Sequence, residues 1–170
     1  MKNLLILLFL LLLTFSSSNT VYAESHGSAI IPPMLIYSAS DNNYSWIQVI
    51  LSNITNEAVT CSFKVFGHDG EDITNTFLPA VYSGSYNDHG NSEPSSSFTI
   101  PANGSRRIQL QVKTLCSIIA HGRVEWSSDN EKMNKALVGT LQHRNFACGG
   151  TGTSLGFGIG YMPINNGMPF

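Results

Sequence analysis

Five histidines, three cysteines and eleven carboxylates are the residues with most chemistry to offer in this 170-residue chain. His26, His68, His89, His121 and His143 are dispersed. They form no His-x-x-x-His pair, and the cysteines form no Cys-x-x-Cys knuckle, whereas a zinc site needs about four converging ligands. The expectation is scattered surface histidines, with no metal and no cofactor. Asp69-Gly70-Glu71-Asp72 places three carboxylates close together. Calcium takes oxygen ligands, but EF-hand spacing is absent, and Asp-Gly is first a hairpin turn. Asp41-Asn42-Asn43 and Asp129-Asn130-Glu131 read as turns in the same way. Serines are many, yet no Gly-x-Ser-x-Gly elbow occurs. No catalytic residue is expected. A polysaccharide or peptidoglycan hydrolase would need Glu125 to meet Asp129 or Asp72 in space.

The glycine run Gly149-Gly150-Thr151-Gly152 lacks the Gly-Lys-Ser/Thr of a phosphate loop. Beyond it, Leu155, Phe157, Ile159 and Tyr161 alternate with Gly156, Gly158 and Gly160. That alternation is a strand with one bare face. Three Asn-x-Ser/Thr triplets begin at Asn43, Asn53 and Asn103, and they matter only in a eukaryotic source. The leader described next reads as bacterial.

The cysteines are Cys61, Cys116 and Cys148. Cys61 alternates with Val59, Phe63 and Val65 on one face of a strand, so it reads as a buried free thiol. Cys116 and Cys148 sit near breaks in pattern. They are the expected disulfide pair, although spacing alone does not fix connectivity.

These residues must be positioned by a chain that begins with an export leader. Lys2 precedes an apolar run over residues 4–13, then polar residues and Val21-Tyr22-Ala23. Basic start, short apolar core and small residue before the cut form a signal peptide over residues 1–23. The run is short for a bilayer span, and no later stretch offers a transmembrane segment. The formal charge is −2, and Arg106-Arg107 is the densest basic spot, which argues against a nucleic-acid partner. One domain suits the length.

After the leader the chain reads as strands and turns. Residues 24–28 look polar and frayed. Pro32-Pro33 marks the next segment as an edge strand or an irregular entry to one. Residues 44–51 are apolar on both faces, as in a central strand. Residues 58–66 form the next strand, Asp69-Gly70 turns, and residues 73–78 return. Residues 79–95 form a long loop, a length found in functional or mobile segments. Strands over 97–100 and 107–112 flank Pro101-Ala102-Asn103-Gly104. Val124 and Trp126 alternate with Arg123 and Glu125. Residues 131–135 suggest one helical turn, residues 136–146 a strand, and residues 149–170 a glycine-rich strand and tail.

Seven to eight short strands with frequent turns predict an all-β antiparallel β-sandwich over residues 24–148. The run from Val49 through Asn53-Ile54-Thr55-Asn56 to Thr60 resembles exported bacterial immunoglobulin-like or fibronectin-type-III-like domains. Asp69-Gly70 and Phe98-Thr99-Ile100-Pro101-Ala102-Asn103-Gly104-Ser105 extend the likeness, which spans residues 44–127. It implies an immunoglobulin-like strand order.

The function expected is a non-catalytic binding or structural module, exported to the periplasm, cell surface or medium. Its partner would be a protein or glycan at the cell surface. Tyr82 and Tyr86 in the long loop are the expected anchors, because tyrosine gives large contact area at low ordering cost. The alternative is a subunit of a surface assembly, with strand 155–161 adding to a neighbouring sheet.

Overall fold

A computed structural model describes residues 24–40, 43–77, 79–83, 93–94, 97–110, 116–148 and 154–170. The expected leader over residues 1–23, Tyr86 and most of residues 79–95 lie outside these residues. Among the described residues there are ten strands: β1 (Ser25–Ser40), β2 (Asn43–Asn53), β3 (Val59–Gly67), β4 (Ala80–Tyr82), β5 (Glu93–Pro94), β6 (Ser97–Ile100), β7 (Ser105–Leu110), β8 (Cys116–Ser128), β9 (Leu137–Cys148) and β10 (Ser154–Pro163). One helical turn, α1 (Thr74–Phe77), and a terminal 3-10 turn, Ile164–Gly167, complete the described chain. Among the described residues no helix is long and apolar enough to cross a membrane.

The strands are antiparallel and form two sheets. One has the order β1-β8-β3-β6. The other has the order β5-β4-β7-β2-β9-β10. The sheets run into each other through the end of the β1–β2 hairpin, where Ser38 pairs Tyr44 and Ser40 pairs Asn43. Ser45 fixes that corner: its hydroxyl accepts from the Tyr37 N–H at 2.7 Å and lies 3.1 Å from the Leu35 carbonyl. This is not the expected immunoglobulin order, in which the first two strands share a sheet. Strands 1-8-3-6 facing 5-4-7-2 are the order of a jelly roll built from two Greek keys. Here β9 and β10 widen the second sheet beyond β2.

Alternation explains the core. Val59, Cys61, Phe63 and Val65 of β3 point inward and are buried, as are Val124 and Trp126 of β8. Ile47, Val49 and Leu51 of β2 and Ile108 and Leu110 of β7 meet them from the other sheet in one cluster. Burying each such side chain contributes about 1.5–3 kcal/mol. Pro32 and Pro33 lie on β1, the border strand of its sheet. The register slips between Ile31 and Met34, because prolines cannot donate to the ladder. β2 is central, paired on both sides by β7 and β9.

Several segments differ from the sequence expectation. Residues 25–28 are not frayed but pair with β8, from Ser25 opposite Ser128 to Ser28 opposite Glu125. Of the expected return strand over residues 73–78, the described residues 73–77 do not form a strand. Asp72 Oδ1 accepts the Thr74 N–H at 3.0 Å, which starts α1, and the buried Thr74 hydroxyl accepts the Val65 N–H at 2.9 Å. That segment covers the part of β3 that short β6 leaves unpaired. Residues 131–135 form turns without a helix. The tail is structural: Ile164 and Phe170 are buried in the core cluster. Asn53 is likewise a hub, not a glycan acceptor. Its Nδ2 donates to the Glu57, Ile100 and Pro101 carbonyls, and its Oδ1 accepts the Thr55 N–H at 2.9 Å. Asn103 at the neighbouring turn has φ 54°, a left-handed position that asparagine tolerates.

Candidate functional site

The register of the four-stranded sheet brings two polar rows onto its outer face. Ser28 of β1 lies opposite Glu125 of β8, which lies opposite Ser62 of β3, which lies opposite Ser97 of β6. One step along, His26, Ser127, Thr60 and Thr99 form the parallel row. Each is the outward member of an alternating strand whose inward members, Cys61 and Trp126, are buried. Together with Glu24, all of these except Thr99 line an open groove of about 530 Å³. Its floor is Gly27, which lies directly against the Trp126 indole.

The side chains at the groove are hydroxyls, two carboxylates and one imidazole. Glu125 takes the Ser62 hydroxyl at 3.4 Å and faces Arg123 Nη1 at 3.8 Å. Further along the face, Lys64 and Arg123 sit opposite each other. The Phe66 and His121 rings stack at 5.4 Å, and beyond them Leu35 and Ile119 are exposed. The groove is thus the hydrogen-bonding end of a face that becomes basic and then apolar. Among the described residues no group of three histidine, cysteine or acidic side chains converges to hold a metal ion.

The residues singled out by sequence fall in different places. Tyr82 is in β4 rather than in a loop, on the outer face of the other sheet. The Arg107 guanidinium stacks 4.5 Å above its ring. Beside them Gln109, Gln48, Gln142 and Tyr161 fill one row across β7, β2, β9 and β10. Gln48 Nε2 reaches Gln109 Oε1 at 3.4 Å, and Gln142 Nε2 reaches the Tyr161 hydroxyl at 2.9 Å. Gln48 and Gln142 are each only 4% exposed, so the middle of this row holds the sheet together, while Tyr161 at its end is exposed. Of the carboxylates, Glu125 lies in the groove, and neither Asp72 nor Asp129 lines it. Asp69 and Asp72 build turns. The Glu71 N–H holds the Asp69 carboxyl below its ordinary range, and the Thr74 hydroxyl does the same for Asp72.

Cys61 is a free buried thiol, pushed up to about 12 by burial, which makes it a poor nucleophile. Cys116 is half-buried at the start of β8. Cys148 ends β9, and its side chain lies outside the described residues. The registers place both at the hairpin end: Cys116 opposite Ser38, and Ala147 opposite Asn43. The pairing of Cys116 with Cys148 stays a proposal. Alkylation in denaturant of protein exported to an oxidising compartment is expected to label one thiol before reduction and three after. Three labels before reduction would reject the bridge.

Sequence reading missed His26, Ser28, Ser62, Ser97 and Ser127. Their alternation with inward residues was visible in β3 and β8. What joined them was the long-range pairing of β1 with β8, which no local pattern announces. Compared with known protein families, curated proteins and solved structures, the chain matches none.

Proposed function

We propose that the protein is an exported, non-catalytic binding module whose ligand is a neutral glycan seated in the groove of the four-stranded sheet. The groove carries this reading. It aligns five serine and threonine hydroxyls with Glu24, His26 and Glu125 along a groove that Trp126 and Cys61 also line. Hydroxyls donate and accept at once, and carboxylates accept strongly, which is the complement of a sugar's hydroxyl groups. The two carboxylates disfavour polyanions, including nucleic acids and acidic glycans. The leader over residues 1–23 supports export to a compartment where glycans are exposed.

The test is titration of the protein lacking residues 1–23 with soluble neutral oligosaccharides (gluco-, xylo- and manno-oligosaccharides), with sugar release followed in parallel. At least one series is expected to bind and to emerge uncleaved. Glu125→Gln keeps the shape but removes a charged acceptor, and is expected to weaken binding about 10–100-fold, since such bonds contribute about 1.5–3 kcal/mol. New reducing ends that Glu125→Gln abolishes would make the groove a hydrolase site instead. Binding lost in moderate salt would assign the groove to a cationic ligand.

A further inference from the structure

The two sheets expose four borders, and three carry features that block strand addition. β1 has Pro32-Pro33 and the register slip beside them. β6 spans only Ser97–Ile100 and is followed by Pro101. β5 is two residues long and includes Pro94. Short strands, prolines and bulges are how sheet borders avoid pairing with other chains. β10 has none of these along its length. It runs ten residues, Ser154–Pro163, and proline appears only at its last position. It contains no charged residue, and among the described residues it pairs with β9 alone.

One face of β10 is also bare. Gly156, Gly158 and Gly160 occupy alternate positions, and a Cβ placed on Gly160 would meet nothing within 4 Å. Closely approaching backbone is one of the two uses of glycine in a strand. No charged residue lies anywhere along the strand, so two such strands side by side would meet without like charges opposite one another. A charged peptide would gain no complementary charge from this border. A second copy of β10 meets an uncharged, self-complementary one.

We propose that β10 pairs antiparallel with β10 of a second copy, joining the two larger sheets across a twofold axis. Such an interface is isologous: the same segment serves both partners. The ladder closes the remaining open border of the sandwich. The groove lies on the other sheet, so dimerisation leaves both grooves free and gives a clustered glycan two points of attachment. The proposal stands independently of the ligand assignment.

The test is the solution mass of the protein lacking residues 1–23, measured by light scattering over a concentration series, with hydrogen exchange of the β10 amides. Twice the monomer mass is expected, with β10 amides more protected at high concentration. Gly160→Lys is the variant of choice, because open space receives the side chain and the monomer keeps its fold. Two lysines at the seam repel, and dimer dissociation is expected to become about tenfold easier or more. A wild-type monomer throughout overturns the proposal. A dimer that Gly160→Lys leaves unchanged, with β10 exchange independent of concentration, overturns it as well by placing the interface elsewhere.

Discussion

Removal of residues 164–170 is expected to leave the protein unfolded or aggregated at room temperature. The segment reads as a polar tail, yet it plugs the end of the sandwich. Ile164 is fully buried and Phe170 nearly so. The Phe170 N–H donates to the Leu137 carbonyl at 3.0 Å, and the Phe170 oxygen accepts from Ala136 and Leu137 N–H groups. The same oxygen accepts the Trp126 indole N–H at 2.9 Å. Deletion exposes the surface those two side chains cover, about 1.5–3 kcal/mol each. It also orphans a buried indole donor, which costs about 1–3 kcal/mol more. Together these approach the whole stability of an ordinary domain, about 5–15 kcal/mol. Ile164→Ala is the milder form and should cost about 2–5 kcal/mol. Circular dichroism and thermal melting report both; a truncated protein that melts within a few degrees of the parent would contradict the role given to this segment.

Gly27→Val is expected to destabilise the fold by about 1–3 kcal/mol or more. A Cβ at this position would sit 2.5 Å from the Trp126 Nε1 and 2.7 Å from its Cε2. The ring is 2% exposed and tethered to Phe170, so it cannot swing away without breaking that bond. The groove floor, the Trp126 ring and the terminal segment are therefore one mechanical unit. Gly160→Val is the matched control, because its Cβ would meet nothing within 4 Å. Its effect on the melting temperature, measured at a concentration where the protein is monomeric, should be within the range of ordinary surface changes, about 0.5 kcal/mol. Equal losses from the two variants would refute the contact argument.

What could be read from the sequence was local. Alternation located β2, β3, β7 and β9 to within a few residues, and Cys61 and Trp126 fall inward as the pattern requires. Proline placed β1 at a border. The order of strands was not legible, because pairs such as β1 with β8 join residues nearly a hundred positions apart (Ser28 and Glu125) and leave no periodic trace. The turn signals that resemble an immunoglobulin-like domain occur in any antiparallel sandwich. Residues 73–78 misled because the Asp72–Thr74 bond, not side-chain propensity, decides for α1. Residues 24–28 and 164–170 look polar or irregular, and their structure comes from partners far along the chain. The groove was hidden for the same reason: its rows exist only once β1, β8, β3 and β6 are aligned.

The seat of the ligand is tested most directly by mapping a bound neutral oligosaccharide onto the backbone amides. In a two-dimensional NMR titration of the protein lacking residues 1–23, the peaks expected to move are those of His26, Ser28, Thr60, Ser62, Ser97, Glu125 and Ser127. The amides around Tyr82 and Arg107, on the opposite sheet, should stay fixed. Movement confined to Tyr82, Arg107 and their neighbours, or no movement with any neutral sugar, would contradict the groove as the binding site.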